Sequence, residues 1–363
     1  MQTSSLPSMK FLSFGAGAIG TYIGGSLSLA GHEVVFLEQP AVVERLRERG
    51  LRLDLSADDR LPHGEGREAP AAFVVPPASF RIAASLEEAL LYGPFDVGLF
   101  ALKSYDTQAA LETLRPHAGK VPPLLCLSNG VDNEPLIAAA LGAPRVIAGT
   151  VTSAVGRRAA GDIVLEKLRG MGVAAGHPLS AGLAAALEAA RLNCRLFPDA
   201  ASMKWSKLLT NLLANPASAI LDMTAAQVFA DRRLYRLEIA VLRECLAVME
   251  AQGIAVVDLP GTPVRALALA ARLPLWLSKP LLARAAGAGR GGKMPSFHID
   301  LHAGRGQSEV DYLHGAVVRA GRNLGIPTPV NTLFTETLLA LTRGELPLEE
   351  FAGQPEKLLA RME

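Results

Sequence analysis

The chain has 363 residues, of which 50% are hydrophobic and 20% charged, and its formal net charge at pH 7 is +1. This composition is typical of a globular protein with two domains and a sizeable core, and it excludes a disordered chain. A net charge so close to zero gives no reason to expect a nucleic-acid partner.

The three cysteines, Cys126, Cys194 and Cys245, lie far apart in the sequence. They form neither a metal-binding spacing nor a disulfide framework, so no metal site is predicted and a reducing cytoplasm is expected. The N-terminus lacks the pattern of a signal peptide. The apolar stretch 264–287 is interrupted by charged residues and prolines, so no membrane partner is expected either.

The first apolar run, 11–14, predicts a buried strand, and a GxGxxG sequence follows it: Gly15, Ala16, Gly17, Ala18, Ile19 and Gly20. A helix-like segment then leads to a second apolar run, 33–37, which ends at the acidic Glu38. In a βαβ unit of this kind the first glycine permits the tight turn, the second lets the backbone approach a pyrophosphate, and the third packs the helix against the strand. The pattern predicts dinucleotide binding; a plain glycine-rich turn is the alternative.

Short apolar runs alternate with helix-like segments as far as residue 155, which predicts a doubly wound, parallel α/β sheet of the Rossmann type. The candidate strands are 11–15, 33–38, 96–102, 123–128 and 145–151. The aperiodic residues 55–79 are interpreted as a surface insertion. Residues 156–197, with strand-like pieces at 162–168 and 172–175, are expected to complete this domain with an antiparallel edge.

From Pro198 onward the pattern becomes helical, which predicts a second, all-α domain. Two domains are therefore expected, 9–197 for the dinucleotide and 198–350 for substrate and catalysis. The helical segments are 201–222, 225–252, 262–287, 308–324 and 331–343.

Two candidate strands end in polar residues, and the carboxyl ends of strands are where ligands bind in such sheets. Lys103 follows the strand 96–102 and can meet a cofactor phosphate or ribose, or simply be solvated. Asn129 and Gly130 follow the strand 123–128. An Asn-Gly pair is often only a turn, but its amide can also face a nicotinamide and a substrate carbonyl.

Lys207, Asn211 and Asn215 stand at positions i, i+4 and i+8, so one helix would place them on one polar face between buried leucines. Pro216 is expected to distort or end that helix just beyond. A solvated face is the alternative, and Lys204 is a rival for the role of Lys207.

Glu309 follows Ser308, a plausible N-cap, at the start of a helix with an apolar stripe. A carboxylate there can simply favour the helix dipole, or it can accept a hydrogen bond from a substrate hydroxyl.

Taken together, these motifs resemble the ketopantoate reductase family over about residues 9–350. The stretches that carry the resemblance are 15–20, 102–107, 128–131, 204–216 and 308–312. The resemblance implies a Rossmann domain joined to an all-α domain and NADPH-dependent reduction of 2-dehydropantoate to pantoate. The expected partner is therefore a small 2-oxo acid.

The resemblance also implies roles for individual residues. Lys207 would be the general acid, and Asn129 would lie beside the nicotinamide and the reacting carbonyl. Substrate would be held by Asn211, Asn215 and Glu309, together with Ser296 and Asp300, whose match requires one inserted residue before Glu309.

The sequence departs from the family at the end of the second strand, where an arginine usually receives the 2′-phosphate of NADP. Gln39 stands there and Glu38 precedes it. A carboxylate at this position normally binds ribose hydroxyls and favours NAD. NADP(H) is kept as the family's cofactor, with NAD(H) as the alternative. The insertions 55–79 and 258–293 also leave open another branched 2-oxo acid as substrate.

Two other functions fit part of the pattern. An opine-type dehydrogenase would pair a histidine with an aspartate, but none of the seven histidines lies in a recognisable motif for this. A non-enzymatic dinucleotide sensor would not need Lys207, Asn211 and Glu309 together. The sequence leaves both a monomer and a homodimer open.

Overall fold

The computed structural model describes residues 7–60, 72–280, 282 and 294–362. Its contacts divide the chain into two units. The first comprises Met1–Ser128, Asn133–Met203 and Leu259–Thr262; the second comprises Asn129–Asp132, Lys204–Asp258 and Pro263–Glu363. The expected domains 9–197 and 198–350 remain a prediction of how the chain is organised.

The first unit contains two β-sheets and the helices that pack against them. Its strands are β1 (Lys10–Phe14), β2 (Glu33–Leu37), β3 (Leu51–Asp54), β4 (Ala72–Val75), β5 (Arg81–Ala83), β6 (Val97–Phe100), β7 (Leu124–Cys126), β8 (Val146–Val151), β9 (Ala154–Ala159), β10 (Asp162–Lys167), β11 (Met171–Ala174) and β12 (Cys194–Phe197). Its helices are α1 (Ala18–Leu29), α2 (Pro40–Arg49), α3 (Leu86–Leu91), α4 (Thr107–Leu114), α5 (Asn133–Leu141) and α6 (Ser180–Ala189).

The larger sheet has eight strands in the order β12-β11-β8-β7-β6-β1-β2-β5. Strands β8, β7, β6, β1, β2 and β5 pair in parallel, each with its neighbour in this order, whereas β11 pairs antiparallel to β8. The order reverses at β1 and β6, as it does in doubly wound dinucleotide-binding sheets. The predicted fold class, with its antiparallel edge, is confirmed.

Alternating residues of β1 supply the two faces of this sheet. Phe11 packs into a core with α1, whereas Leu12 and Phe14 pack into a second core that contains residues of α3 and α4. A strand buried on both faces has no solvent-facing side, which explains why residues 11–14 of β1 are apolar except for the buried Ser13.

A second sheet, in the order β4-β3-β10-β9, was missed by the sequence analysis. Residues 55–79 were expected to be an insertion without period, but they contain β4, which pairs antiparallel to β3. Residues 162–168 were expected at the edge of the main sheet, but β10 pairs with β3 and β9 instead. These strands are four to six residues long and amphipathic, so their pairing partners cannot be read from periodicity. The insertion's residues 61–71 lie outside the described residues.

The second unit is helical. It contains α8 (Asn215–Leu221), α9 (Ala225–Ala230), α10 (Arg232–Ala251), α11 (Val264–Arg272), α12 (275–280), α13 (Ser296–His302), α14 (Val310–Leu324), α15 (Pro329–Thr342) and α16 (Pro355–Leu359), and the division between the units falls within α7 (Ala200–Leu212). Helices α13 and α16 were not predicted, and α14 begins two residues later than expected. Of the insertion 258–293, residues 281 and 283–293 lie outside the described residues.

A buried polar cluster helps hold this unit together. The side-chain amide of Asn331 on α15 donates to Glu244 on α10 at 2.7 Å, and its oxygen lies 2.9 Å from Nδ1 of His314 on α14. Because a buried polar group without a partner is costly, the cluster fixes the relative positions of these three helices. Within the described part of the chain, no helix combines the length and the apolar character that a membrane span requires.

Candidate functional site

The glycine-rich turn connects β1 to α1. Gly15 has φ +94°, where glycine avoids the strain that a side chain would cause. A Cβ on Gly20 would overlap the carbonyl oxygen of Gly15, whereas a Cβ on Gly17 would meet nothing within 4 Å. The third glycine therefore serves the close packing of helix on turn, and the second leaves open space beside the backbone.

The start of α1 has the features of an anion-binding helix N-terminus. Gly17 is its N-cap residue, and no side chain among the described residues caps it. First-turn N–H groups of a twelve-residue helix carry partial positive charge, which suits a pyrophosphate. The residues present therefore fit a dinucleotide, whose phosphates would lie against Gly15, Ala16, Gly17, Ala18, Ile19 and Gly20.

A cavity of about 510 Å³ lies at the carboxyl ends of β1, β2 and β6. Gly15, Glu38, Gln39 and Leu102 are among its lining residues, and Lys103 follows Leu102 directly. Its lining residues are mostly apolar, with Glu38, Gln39 and Thr113 as polar side chains, a composition that suits an adenosine.

Glu38 folds onto the glycine-rich turn. Its Oε1 accepts a hydrogen bond from the Ala16 N–H at 2.5 Å, and its Oε2 accepts one from the Gln39 N–H at 3.1 Å. Two backbone donors thus hold a negative charge at the end of β2. Gln39 is exposed and is the N-cap residue of α2.

In the second unit, Asn129 and Gly130 belong to a short segment that packs against α14. Gly130 has φ +90°, and a Cβ there would lie 2.6 Å from the carbonyl oxygen of Tyr312. At the end of the segment, Asp132 forms an ion pair with Arg319 at 2.7 Å. The Asn-Gly pair is therefore more than a surface turn, because its glycine permits a close approach that positions Asn129.

The expectation of one continuous helix through Lys207, Asn211 and Asn215 is wrong. Helix α7 ends at Leu212, and α8 begins at Asn215. The physical reason is Pro216, which lacks an N–H and whose ring conflicts with a helical carbonyl four residues earlier, at Leu212. The proline thus ends the helix before Asn215 rather than beyond it.

A buried carboxylate stabilises this break. Ala214 has φ +56°, and its N–H donates to Oε2 of Glu238 at 2.6 Å. The side chain of Glu238 lies on α10 and is fully buried. Sequence reasoning missed this residue. The usable signal is that Glu238 is the one acidic residue between Leu234 and Leu242, at a position on the apolar face of α10.

Four of the predicted site residues are joined by hydrogen bonds. The side-chain amide of Asn211 donates to Oδ1 of Asn129 at 3.1 Å. The side-chain amide of Asn215 donates to the backbone carbonyl oxygen of Asn211 at 3.3 Å. Asn215 also donates to Oγ of Ser296 at 3.4 Å and accepts from the Phe297 N–H at 3.1 Å. Asn211 and Asn215, which periodicity placed on one helix face, thus remain linked across the break, and Asn129 and Ser296 join them in a polar row.

The remaining predicted residues lie on the same unit but at different depths. Lys207 is half-buried one turn before Asn211, whereas its rival Lys204 is only 5% exposed. Asp300 is buried and forms an ion pair with Arg305 at 3.1 Å. Glu309 is also buried and is itself the N-cap residue of α14, the place expected for Ser308.

The opine-type alternative calls for a histidine–aspartate pair. His314, near this site, is fully buried, and burial lowers its pKa to about 3, so it is neutral at pH 7. A pair does exist between His298 and Asp222, 2.6 Å apart. Asp222 caps the end of α8 opposite to Asn215, roughly 10 Å away along the helix.

Two family models match successive parts of the chain. A family model described as "Ketopantoate reductase PanE/ApbA" matches residues 11–175, and its C-terminal counterpart matches residues 199–342.

Relatives match over most of their length. The 2-dehydropantoate 2-reductase of Mesorhizobium japonicum is 28% identical, and the alignment covers 92% of this chain and 97% of that protein. The 2-dehydropantoate 2-reductase of Halobacterium salinarum is 27% identical, and the alignment covers 89% of this chain and 95% of that protein. The solved ketopantoate reductase of Ralstonia eutropha has a TM-score of 0.73 at 26% identity, covering 93% of this chain and 99% of that one. D-mandelate dehydrogenase, solved with NADH and anilino(oxo)acetate, shares the fold with a TM-score of 0.71 at 22% identity, with the same coverage.

Proposed function

The chain belongs to the ketopantoate reductase PanE/ApbA family, as its motifs predicted. We propose that it reduces the ketone of 2-dehydropantoate to the hydroxyl of pantoate, which is a step toward pantothenate. It is an oxidoreductase that acts on a CH–OH group, with a nicotinamide dinucleotide as cofactor and a small molecule as substrate. The membership sets aside the sensor and the opine-type alternatives.

The hydrogen-bonded row Asn129–Asn211–Asn215–Ser296 is the observation that carries the proposal. It offers several amide and hydroxyl groups on one surface beside a half-buried lysine. A 2-oxo acid presents a carboxylate and a ketone, which need donors, and a hydroxyl, which needs an acceptor. The buried carboxylate of Glu309 would supply that acceptor.

In the proposed mechanism Lys207 is the general acid. A reduced nicotinamide, when bound, would supply a hydride to the ketone carbon, so that negative charge would develop on the ketone oxygen. The Lys207 ammonium would stabilise that charge and give its proton to the oxygen, effects worth about 10²–10⁴-fold in rate. Asn129 would fix the carbonyl relative to the hydride donor. Asn211, Asn215, Ser296, Asp300 and Glu309 would hold the substrate.

The cofactor half of the proposal begins from NADP(H), which the family resemblance implies, with Lys103 near the phosphates. NAD(H) is the second candidate, because Glu38 is held by two backbone donors where a 2′-phosphate would need a cation. With NADH, another branched 2-oxo acid is the natural alternative substrate. The likeness to D-mandelate dehydrogenase, solved with NADH, shows a shared fold and gives no preference between the two cofactors.

The proposal extends to location. All three cysteines are free thiols, and burial raises the pKa of Cys194 to about 12, which makes that thiol unreactive. Free thiols of this kind suit a reducing cytoplasm.

The decisive assay mixes purified protein with 2-dehydropantoate and follows the oxidation of NADPH and, separately, NADH. Turnover with NADPH supports the whole proposal. Turnover with NADH alone keeps the reaction and makes Glu38 the determinant of specificity. If the protein binds the dinucleotide but oxidises neither form, the pantoate assignment is wrong, and a panel of other 2-oxo acids is tested next.

A further inference from the structure

Three metal-ligating side chains converge at the end of α8, apart from the polar row. They are Asp222, His298 and His302, and their ligand atoms all lie within 4.8 Å of one another. Oδ1 of Asp222 lies 2.6 Å from Nε2 of His298 and 3.9 Å from Nε2 of His302. Sequence reasoning predicted no metal site, since Asp222 lies 76 residues before His298.

The two histidines are arranged as a pair. They stand at positions i and i+4 of α13, the spacing at which one helix face presents two imidazoles to a single ion. Their rings stack at a centroid distance of 4.1 Å and an angle of 31°. The imidazole nitrogen is the commonest protein ligand for metal ions of this kind.

The aspartate is aimed by its backbone. Asp222 has φ +51° at the C-cap of α8, a left-handed conformation that redirects the chain as the helix ends. Its carboxylate thereby reaches both histidines from a different helix. The side chains of Asp222 and His302 are 54% and 39% exposed, so an ion can enter from solvent.

We propose that Asp222, His298 and His302 form a binding site for a divalent transition-metal ion of the Zn²⁺ type. Zinc bonds to nitrogen and oxygen are about 2.0–2.2 Å, so neighbouring ligand atoms of a tetrahedral site stand about 3.3 Å apart. The 2.6 Å separation would open by roughly 0.7 Å and the 3.9 Å separation would close by roughly 0.6 Å. Both shifts are below about 1 Å. Water would take the fourth position, as in other sites with two histidines and one carboxylate.

The bound ion would act as a clamp between α8 and α13. Helix α8 begins with Asn215 and α13 begins with Ser296, which are hydrogen-bonded to each other. The site itself makes no use of the proposed reductase chemistry, so it can be tested independently of that reaction.

The test is a calorimetric titration of Zn²⁺ into tag-free, EDTA-treated full-length protein. Asp222→Asn and His302→Gln are the test variants, because asparagine tolerates the left-handed backbone and glutamine keeps much of the side-chain volume. His117→Gln is the matched control, since His117 pairs with Glu87 at 3.3 Å without belonging to this cluster.

We expect one Zn²⁺ per chain, bound at least about 10-fold more weakly by each test variant and unchanged in the control. Added Zn²⁺ should also raise the melting temperature of the wild-type protein and of His117→Gln but not of Asp222→Asn. Equal affinity in all four proteins, or no binding by the wild-type protein, would overturn the proposal. Circular dichroism of the metal-free proteins shows whether any variant has failed to fold.

Discussion

The glycine-rich turn of the first unit and the polar row of the second are built in opposite ways. In the turn, six consecutive residues and the start of α1 form the candidate site, and its candidate donors are backbone N–H groups. In the row, side chains come from α7, α8, the start of α13 and the segment after β7. A site made of local backbone follows from its motif, whereas a site made of distant side chains depends on how the helices end.

The largest expected effect belongs to the polar row. Lys207→Ala should lower kcat by about 10²–10⁴-fold, because the developing oxyanion loses its proton donor, while dinucleotide affinity stays unchanged. Stopped-flow turnover and fluorescence titration of NADPH measure the two quantities. The control is Lys357→Ala, since Lys357 pairs with Glu350 in the same unit. If Lys207 is only a solvent-exposed residue of its helix, Lys207→Ala will have the same kcat as the wild-type protein and the Lys357→Ala control.

A smaller effect concerns the end of β2. The double substitution Glu38→Ser with Gln39→Arg removes the carboxylate on the glycine-rich turn and adds a partner for a 2′-phosphate. The ratio of kcat/KM for NADPH to that for NADH should rise by about 10–100-fold, the worth of one charge-assisted contact. Glu33→Ser, at the other end of β2, is the control and should leave the ratio unchanged. If the double variant has the same ratio as the wild-type protein, Glu38 does not decide between NADPH and NADH.

The glycines of the turn separate packing from binding. Gly20→Ala would press a methyl group onto the Gly15 carbonyl, so the free energy of unfolding should fall by ~1–3 kcal/mol. Gly17→Ala meets open space at a φ of −69°, so stability should hold while dinucleotide affinity falls. Urea unfolding and a binding titration on both variants give the comparison. The assigned roles are reversed if Gly17→Ala proves the less stable of the two.

The smallest effect lies at the helix break. Ala214 sits in the left-handed region, which costs an L-residue about 1–2 kcal/mol. Ala214→Gly relieves that strain but loses more backbone entropy on folding, so a net gain of roughly 0.5–1 kcal/mol is expected. Thermal unfolding measures it, with Ala217→Gly inside α8 as a control that should destabilise. A loss of stability in Ala214→Gly would mean that the break is not strained.

These two regions also show what the sequence could and could not predict. Strands β1, β2, β6, β7 and β8 of the main sheet, and the turn, follow from apolar runs and glycine spacing, which act over short distances. The three-residue strand β5 was not predicted. The smaller sheet does not, because amphipathic strands such as β3 and β10 carry no signal for their partners. Lys207, Asn211 and Asn215 were predicted on one helix, yet Pro216 ends α7 before Asn215. The buried Glu238 that supports this break lies more than twenty residues further along the chain.

The membership of Asn129–Asp132 has a consequence for how this protein can be dissected. The chain crosses between its two units several times, so neither unit is a continuous stretch of sequence. A gene divided between codons 203 and 204 would leave the first half without Leu259–Thr262 and the second without Asn129. Chimaeras that exchange the C-terminal half of one reductase for that of another would therefore pair each new α14 with a foreign Asn-Gly segment, and they should carry residues 129–132 across as well.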